Sequence, residues 1–405
     1  IVSGFLHTVR FSLNFDIVDL RASGYCNTVY IAWNKVDGAD KYAVTYTDGA
    51  SEKTIDGITD TYCIIDELEN DTEYSFEVKA YVNGSWISSE TVTAVPVELV
   101  DIDQTNFPDD IFRGIVTSDA IDTNNDDKLS EAEIKAVSEL DVSEREIADL
   151  SGIEYFTALT SLDCGSNDLT KLDVRNNAAL TYLSCLNNQL AELDIGKKTM
   201  LEILHCEWNS ITDLDISNCA ELAELYAGGN ALTELDVSNC MELVKLYCGV
   251  NDLTELDVSR CSKLEELDCE DNFLTALDVS GNTALTTLFC DNDRLTHLDI
   301  SSTAVTSENF TCSYNFYELD DLSLDALTER GFDGSRASDW NGAAYDTETN
   351  SLTDVTSEII TYTYDAGREL KVTFTLVYDA TKPHNVKAAA GDGKVTITWD
   401  EVEGA

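Results

Sequence analysis

Leu243-Val-Lys-Leu-Tyr-Cys-Gly-Val-Asn-Asp-Leu-Thr-Glu-Leu-Asp-Val-Ser259 is one of seven copies of a single phrase, and the spacing of the copies decides the fold. Leu159, Leu180, Leu201, Leu222, Leu243, Leu264 and Leu285 open the copies at a constant step of 21 residues. Leu162, Leu183, Leu204, Leu225, Leu246, Leu267 and Leu288 follow three residues later. A coil this short cannot bury its own leucines. A fixed period therefore predicts a solenoid in which stacked coils share one continuous core.

Counting each opening leucine as place 1, places 1, 4, 11 and 14 hardly change, whereas places 3, 5, 7 and 8 vary freely. Place 6 is Cys164, Cys185, Cys206, Cys248, Cys269 and Cys290, with Ala227 as the exception. A small apolar residue suits an inward position on a narrow coil. Place 9 is Asn167, Asn188, Asn209, Asn230, Asn251 and Asn272, then Asp293. An amide there satisfies backbone groups left open as the chain turns off its strand, which predicts an asparagine ladder. Asp173, Asp194, Asp215, Asp236, Asp257, Asp278 and Asp299 form a further column. Carboxylates about 5 Å apart repel by roughly 0.8 kcal/mol at the dielectric of water. Hydrogen bonds from backbone N–H groups or nearby serines offset that repulsion, unless the column is a Ca2+ ladder.

The copies resemble the leucine-rich repeat, L-x-x-L-x-(L/C)-x-x-N-x-L, in a short bacterial form. In such a coil, period-2 alternation turns the varying places to the outer, concave side of the stacked sheet. Tyr182, Leu186, His205, Trp208, Tyr226 and Tyr247 gather there over the middle coils, followed by Phe289. Glu207 and Asp268 stand among them, with Glu266, Glu270, Asp271 and Asp291 nearby. Aromatic residues beside acids suit a protein or glycan ligand with cationic groups.

The 405 residues carry 77 acidic against 25 basic side chains, a formal net charge of -52. Such a field repels nucleic acid and anionic membrane surfaces while favouring cations and basic partners. No apolar run of about 18 residues exists, so no membrane-inserting segment is expected. Of the twelve cysteines, six fall on place 6 and three, Cys219, Cys240 and Cys261, on place 19. Equivalent side chains on stacked coils run parallel, whereas a disulfide needs converging Cβ vectors, so these thiols are expected to be free.

Either side of the repeats the patterning changes. Thr28–Trp33, Tyr42–Tyr46, Tyr62–Ile65 and Tyr74–Tyr81 alternate between turn residues, as in a β-sandwich. Trp33 and the spacing of Leu68 to Tyr74 resemble a fibronectin type III domain and its tyrosine corner. Phe107, Ile111, Phe112 and Ile115 recur at helical spacing behind Asn106 and Pro108. Asp122-Thr-Asn-Asn-Asp-Asp-Lys-Leu-Ser-Glu-Ala-Glu133 then resembles an EF-hand loop, with Asp127 where glycine is usual. That resemblance implies Ca2+ held by Asp122, Asn124, Asp126, the Lys128 carbonyl, Ser130 and Glu133. The alternative is a metal-free cap, as in the internalin family. Past Val305 the repeat fails. Leu322–Arg330 reads as a short helix closed by Gly331, and 356–379 as a hairpin around Asp365–Arg368.

The chain also overlaps itself. Val9–Asp16 matches Val372–Asp379 and Trp33–Ala39 matches Trp399–Ala405, at an offset of roughly 365. A tandem array is expected in the natural protein, with 1–16 the tail of a preceding unit. The expected order is then a fibronectin type III domain (17–97), an EF-hand-like helical N-terminal cap (98–158), leucine-rich repeats (159–305), a C-terminal cap (306–380) and the truncated start of a second fibronectin type III domain (381–405).

The four histidines, His7, His205, His297 and His384, share no metal-ligand spacing, and no phosphate loop or nucleophile elbow appears. No enzyme is expected in this segment. The architecture resembles internalin-type bacterial surface proteins. This implies an extracellular adhesion module, on the cell surface or secreted, for a protein or glycan of a host, neighbouring cell or matrix. The alternatives are a structural stalk and a substrate-presenting segment of a larger surface enzyme.

Overall fold

A computed structural model of the chain describes residues 17–25, 27–70, 72–96 and 98–379, and the backbone of Lys387–Gly391 and Lys394–Thr398. The match of 1–16 to the far end lies outside the described residues, as does 381–405 apart from that antiparallel hairpin. The chain divides into two compact units, 1–102 with 117–134 and 103–116 with 135–405.

In the first unit, strands Arg21–Tyr25, Thr28–Ala32 and Tyr62–Ile65 form one antiparallel sheet. Glu52–Ile58, Ala39–Thr47, Tyr74–Val82 and Ser85–Ala94 form another, in that spatial order. Alternation along Tyr74–Val82 is complete, every second residue being buried. The core includes Val29, Ile31, Trp33, Val44, Phe76 and Val78. The Tyr74 hydroxyl accepts the Glu69 N–H at 3.1 Å, five residues upstream, and Leu68 beside it is buried. Arg21–Tyr25, Glu52–Ile58 and Ser85–Ala94 escape a reading by hydrophobic runs. Glu52–Ile58 and Ser85–Ala94 are sheet edges with mostly exposed residues, and there alternation has little to encode.

The second unit is built on a nine-stranded parallel sheet in sequence order, from Glu139–Asp141 through Lys245–Tyr247 to Phe310–Thr311. Register follows the repeat, Leu162 facing Leu183 and Leu225 facing Leu246. Leu159, Leu162, Leu180, Leu183, Leu222 and Leu225 are fully buried. Each such side chain contributes about 1.5–3 kcal/mol through apolar burial, shared between coils.

The sheet extends one coil beyond the repeats at each end. Leu140 faces Leu162 after a step of 22 rather than 21, and Leu288 faces Phe310, so the sheet does not end with the repeat at Val305. Cys312 and Asn315 prolong the cysteine and asparagine columns there: the Asn315 carbonyl accepts the Leu295 N–H and its amide donates to Cys290 O. Opening leucines are missing because an end coil is covered on one side by other structure.

That cover is itself legible. On the N-terminal side, helix Asp110–Val116 is capped by Asp109, whose Oδ1 accepts from Ile111 and Phe112 N–H and whose Oδ2 accepts from Ala148 N–H. The helix therefore starts later than Asn106 and Pro108 suggest. Phe112 and Val116 are its buried residues and Phe107 is buried before it starts, while Ile111 is exposed, which corrects the expected apolar face. At the far end, helix Asp325–Glu329 is shorter than expected and Gly331 closes it at φ 107°. The hairpin Ile359–Gly367/Leu370–Val377 forms as expected, between strands Phe316–Glu318 and Ala337–Asn341. The Arg368 guanidinium donates to Thr303 and Val305 carbonyls, and Ala366 O accepts the Ile300 N–H, so hairpin groups satisfy the backbone of the last coil.

Candidate functional site

Place 9 fixes the geometry of everything around it. The Asn251 carbonyl accepts the Leu232 N–H at 3.0 Å, and its amide donates to Ala227, Cys248 and Gly249 carbonyls at 3.1, 3.0 and 3.3 Å. Asn209, Asn230 and Asn272 repeat the pattern, so each amide ties its own turn to the coil before. Place 8, immediately before, is left-handed throughout: Ser166, Asn187, Trp208, Gly229, Val250, Asp271 and Asn292 have φ between 51° and 66°. Asparagine, aspartate and glycine tolerate that conformation. Trp208 and Val250 hold it with bulky side chains, 60% and 43% exposed. This column is invisible in the sequence because its side chains differ while its backbone does not.

Place 5 forms a strip along the outer, half-exposed face of the parallel sheet. The rings of His205 and Tyr226 stack at 4.2 Å and 7°, and those of Tyr226 and Tyr247 at 4.9 Å and 9°. Asp268 and Phe289 continue the column, each directly opposite its predecessor. Tyr182 belongs to place 3 and touches the stack only at an angle, 5.9 Å from His205. Leu186 is half-buried at place 7, two coils away from Tyr226. Much of the strip's polarity is paired internally. The Tyr226 hydroxyl donates to Glu224, that of Tyr247 to Glu266, and Lys245 lies 3.2 Å from Glu224.

A cavity of about 240 Å3 opens beside this stack, walled by Trp208, Tyr226 and Tyr247, with Glu207, Asp268 and Glu270 at its edges. Glycines at places 7 and 8 are part of its lining and let neighbouring side chains lie directly against the backbone. A Cβ on Gly229 would stand 2.6 Å from the Trp208 ring, and one on Gly249 would stand 2.9 Å from Asp268 Oδ1. Burial, with Asp271 and Asp291 nearby, pushes the Asp268 carboxyl above its ordinary range, and burial and Asp268 do the same to Glu270. Glu207 approaches His205 at 3.2 Å through one oxygen, and its other oxygen is buried without a partner. Of these groups, sequence reading singled out the aromatic residues, Glu207 and Asp268. It missed Gly228, Gly229 and Gly249, whose signal is the absence of side chains in two consecutive copies.

The remaining columns are structural. The cysteines of places 6 and 19 are buried and free. Burial drives their thiols up, except at Cys290 where the hydrogen bond with Cys312 comes before burial; Cys185 and Cys240 reach about 12, which leaves little thiolate for redox or metal chemistry at neutral pH. The Asp column is satisfied locally, each carboxylate accepting the N–H two residues on, as from Ser217, Ser238, Ser259 and Ser280.

In the loop 122–133, Asp122 and Glu133 are buried. Asp122 accepts N–H groups of Asp126 and Asp127, Asn124 accepts from Asp126, and Asp126 accepts from Lys128. Asp127 takes the turn at φ 59°, where a glycine usually stands. One Glu133 oxygen accepts from Thr123 and the other from Ser130. Burial would raise that carboxyl, but these hydrogen bonds outweigh it and hold it below its usual range. Val100–Asp101 pairs with Lys128–Leu129 across the loop. No group of three or more His, Cys, Asp or Glu placed for a metal occurs among the described residues.

Comparison with known proteins agrees with the repeat. Residues 204–331 match the family described as At1g61320/AtMIF1, LRR domain. Internalin J of Listeria monocytogenes is 39% identical over 71 residues, which is 18% of this chain and 8% of that protein. The chain thus spans a small fraction of the curated relative it matches. Among solved structures, the functional domain of InlJ from Listeria monocytogenes, described as including a cysteine ladder, is 22% identical with a TM-score of 0.28, over 69% of this chain and 99% of that one. Internalin C2 of the same organism is 22% identical with a TM-score of 0.45, over 53% and 96%. No helix among the described residues is long and apolar enough to cross a membrane.

Proposed function

We propose that this bacterial, internalin-like leucine-rich-repeat chain is an extracellular adhesion module that engages a protein or glycan through the concave strip from His205 to Phe289. The observation that carries the reading is Trp208. A tryptophan held 60% exposed in a left-handed turn, beside stacked His205, Tyr226 and Tyr247, is costly to the free protein and useful to a bound one. The test is capture by the full chain on an array of surface glycans and matrix proteins. Trp208→Ala and Tyr226→Ala should each weaken capture by about 2 kcal/mol or more, as aromatic anchors at an interface centre do. Undiminished capture by both variants removes this face from the function.

Two supporting roles complete the proposal. Residues 17–97 act as a fibronectin type III spacer, a reading supported by the two antiparallel sheets, the buried Trp33 and the Tyr74 hydroxyl bond to Glu69. The loop 122–133 takes Ca2+, supported by buried Asp122 and Glu133 carboxylates with no cationic side chain among their hydrogen-bond partners. Asn124, Asp126, the Lys128 carbonyl and Ser130 would complete the oxygen set. The second reading, a stalk, draws support from the internal pairing of Tyr226, Tyr247 and Lys245, which is how an unengaged surface settles its polar groups.

A further inference from the structure

The cavity beside Trp208 combines three features that select one kind of occupant. Among its lining rings, Tyr226 is sandwiched between His205 and Tyr247 and has no free face, whereas Trp208 is 60% exposed and offers the indole face that attracts a cation through the ring quadrupole. Its polar groups are the carboxylates of Glu207, Asp268 and Glu270, and no basic side chain lines it. The nearest lysine of the strip, Lys245, is committed to Glu224 at 3.2 Å. Its size, about 240 Å3, admits one side chain rather than a secondary-structure element.

From this we infer that the cavity is a subsite for the guanidinium group of an arginine presented by a protein partner, stacked on Trp208 and paired with Asp268 and Glu270. The inference rests on the concave-face reading and narrows it to a protein ligand with an exposed arginine. A planar guanidinium suits the site better than an ammonium, because it stacks on an aromatic face and bridges two carboxylates at once. Two further observations agree. Asp268 and Glu270 are held above their ordinary range by burial, with Asp271 and Asp291 adding to both and Asp268 to Glu270, a cost that an arriving cation reverses. The Trp208 ring lies directly against Gly229, where a Cβ would stand 2.6 Å from it, so the missing side chain of the next coil is what lets the indole sit at the cavity. The field of a chain with net charge -52 would also speed the approach of a basic partner.

The experiment uses the full chain labelled with 15N-glycine and titrated in 0.15 M salt with acetyl-arginine methylamide, acetyl-lysine methylamide and acetyl-citrulline methylamide. Arginine should give saturable shifts at Gly228, Gly229 and Gly249. Lysine should bind more weakly, and citrulline, which keeps the shape without the charge, about ten-fold more weakly or not at all. Asp268→Asn combined with Glu270→Gln should reduce arginine binding about ten-fold while leaving the glycine spectrum folded. Gly249→Ala, whose Cβ would stand 2.9 Å from Asp268 Oδ1 and so displace that carboxylate without removing its charge, should do the same. Equal binding of citrulline, or arginine shifts confined to other glycines, overturns the inference. If arginine fails here while Trp208→Ala and Tyr226→Ala still abolish capture, the guanidinium subsite alone is wrong. If capture too is indifferent to those variants, the concave-face reading fails with it.

Discussion

Asp293 is the rung at which the asparagine ladder changes chemistry, and replacing it should stabilise the protein at neutral pH. Its Oδ1 accepts the Leu274 N–H at 2.9 Å, as each amide carbonyl of the ladder does one coil earlier. Its Oδ2 takes the place of the amide nitrogen, is buried and has no partner. Where Asn272 donates to three carbonyls, a carboxylate has nothing to donate. Burial above all, with Asp271 and Asp291 nearby, pushes the Asp293 carboxyl from 3.8 to about 7. In the unfolded chain the group ionises near pH 4, so between about pH 4 and 7 the folded state binds the extra proton and stability falls as pH rises. A shift of about three units corresponds to about 4 kcal/mol, fully present as destabilisation above pH 7 and absent below pH 4. Asp293→Asn restores the donor and removes the titration. Urea unfolding of the solenoid transition, for the parent and the variant at pH 4, 5.5, 7 and 8, measures the difference. The variant should gain over the parent progressively between pH 4 and 7 and hold a constant lead above it. A difference that does not change with pH, or a variant less stable than the parent at pH 7, refutes the reasoning.

The other predictions test separate columns. Leu225→Ala removes a fully buried side chain shared by adjacent coils and should cost about 2–5 kcal/mol in the same unfolding assay. Thiol titration of the denatured, unreduced chain should recover the nine cysteines of places 6 and 19, and a shortfall of two or more would mean disulfides the ladder geometry forbids. Chelator should lower the melting temperature of the parent through mass action on the folded state, and Glu133→Gln should abolish that sensitivity. A parent melting curve indifferent to Ca2+ would leave the loop a metal-free turn held by Thr123 and Ser130.

What the sequence discloses depends on whether a physical constraint acts on side chains or on backbone. The buried leucines, the amide ladder and the inward cysteines recur because each place accepts few residue types, and a period of 21 exposes that restriction in one chain. The end coils were missed for the complementary reason. Leu140 and Phe310 stand on the two edge strands of the sheet, with a coil on one side only, so place-by-place identity relaxes while the strand pairing persists. Place 8 is the extreme case, since Ser166, Trp208, Gly229 and Val250 share a backbone conformation and almost nothing else. At such a place, glycine, asparagine or aspartate is the inexpensive choice, and a left-handed turn costs a larger residue roughly 1–2 kcal/mol. Bulky exposed residues there therefore point to a use in binding. Once φ is known, Trp208 and Val250 stand out from their column, and both line the cavity.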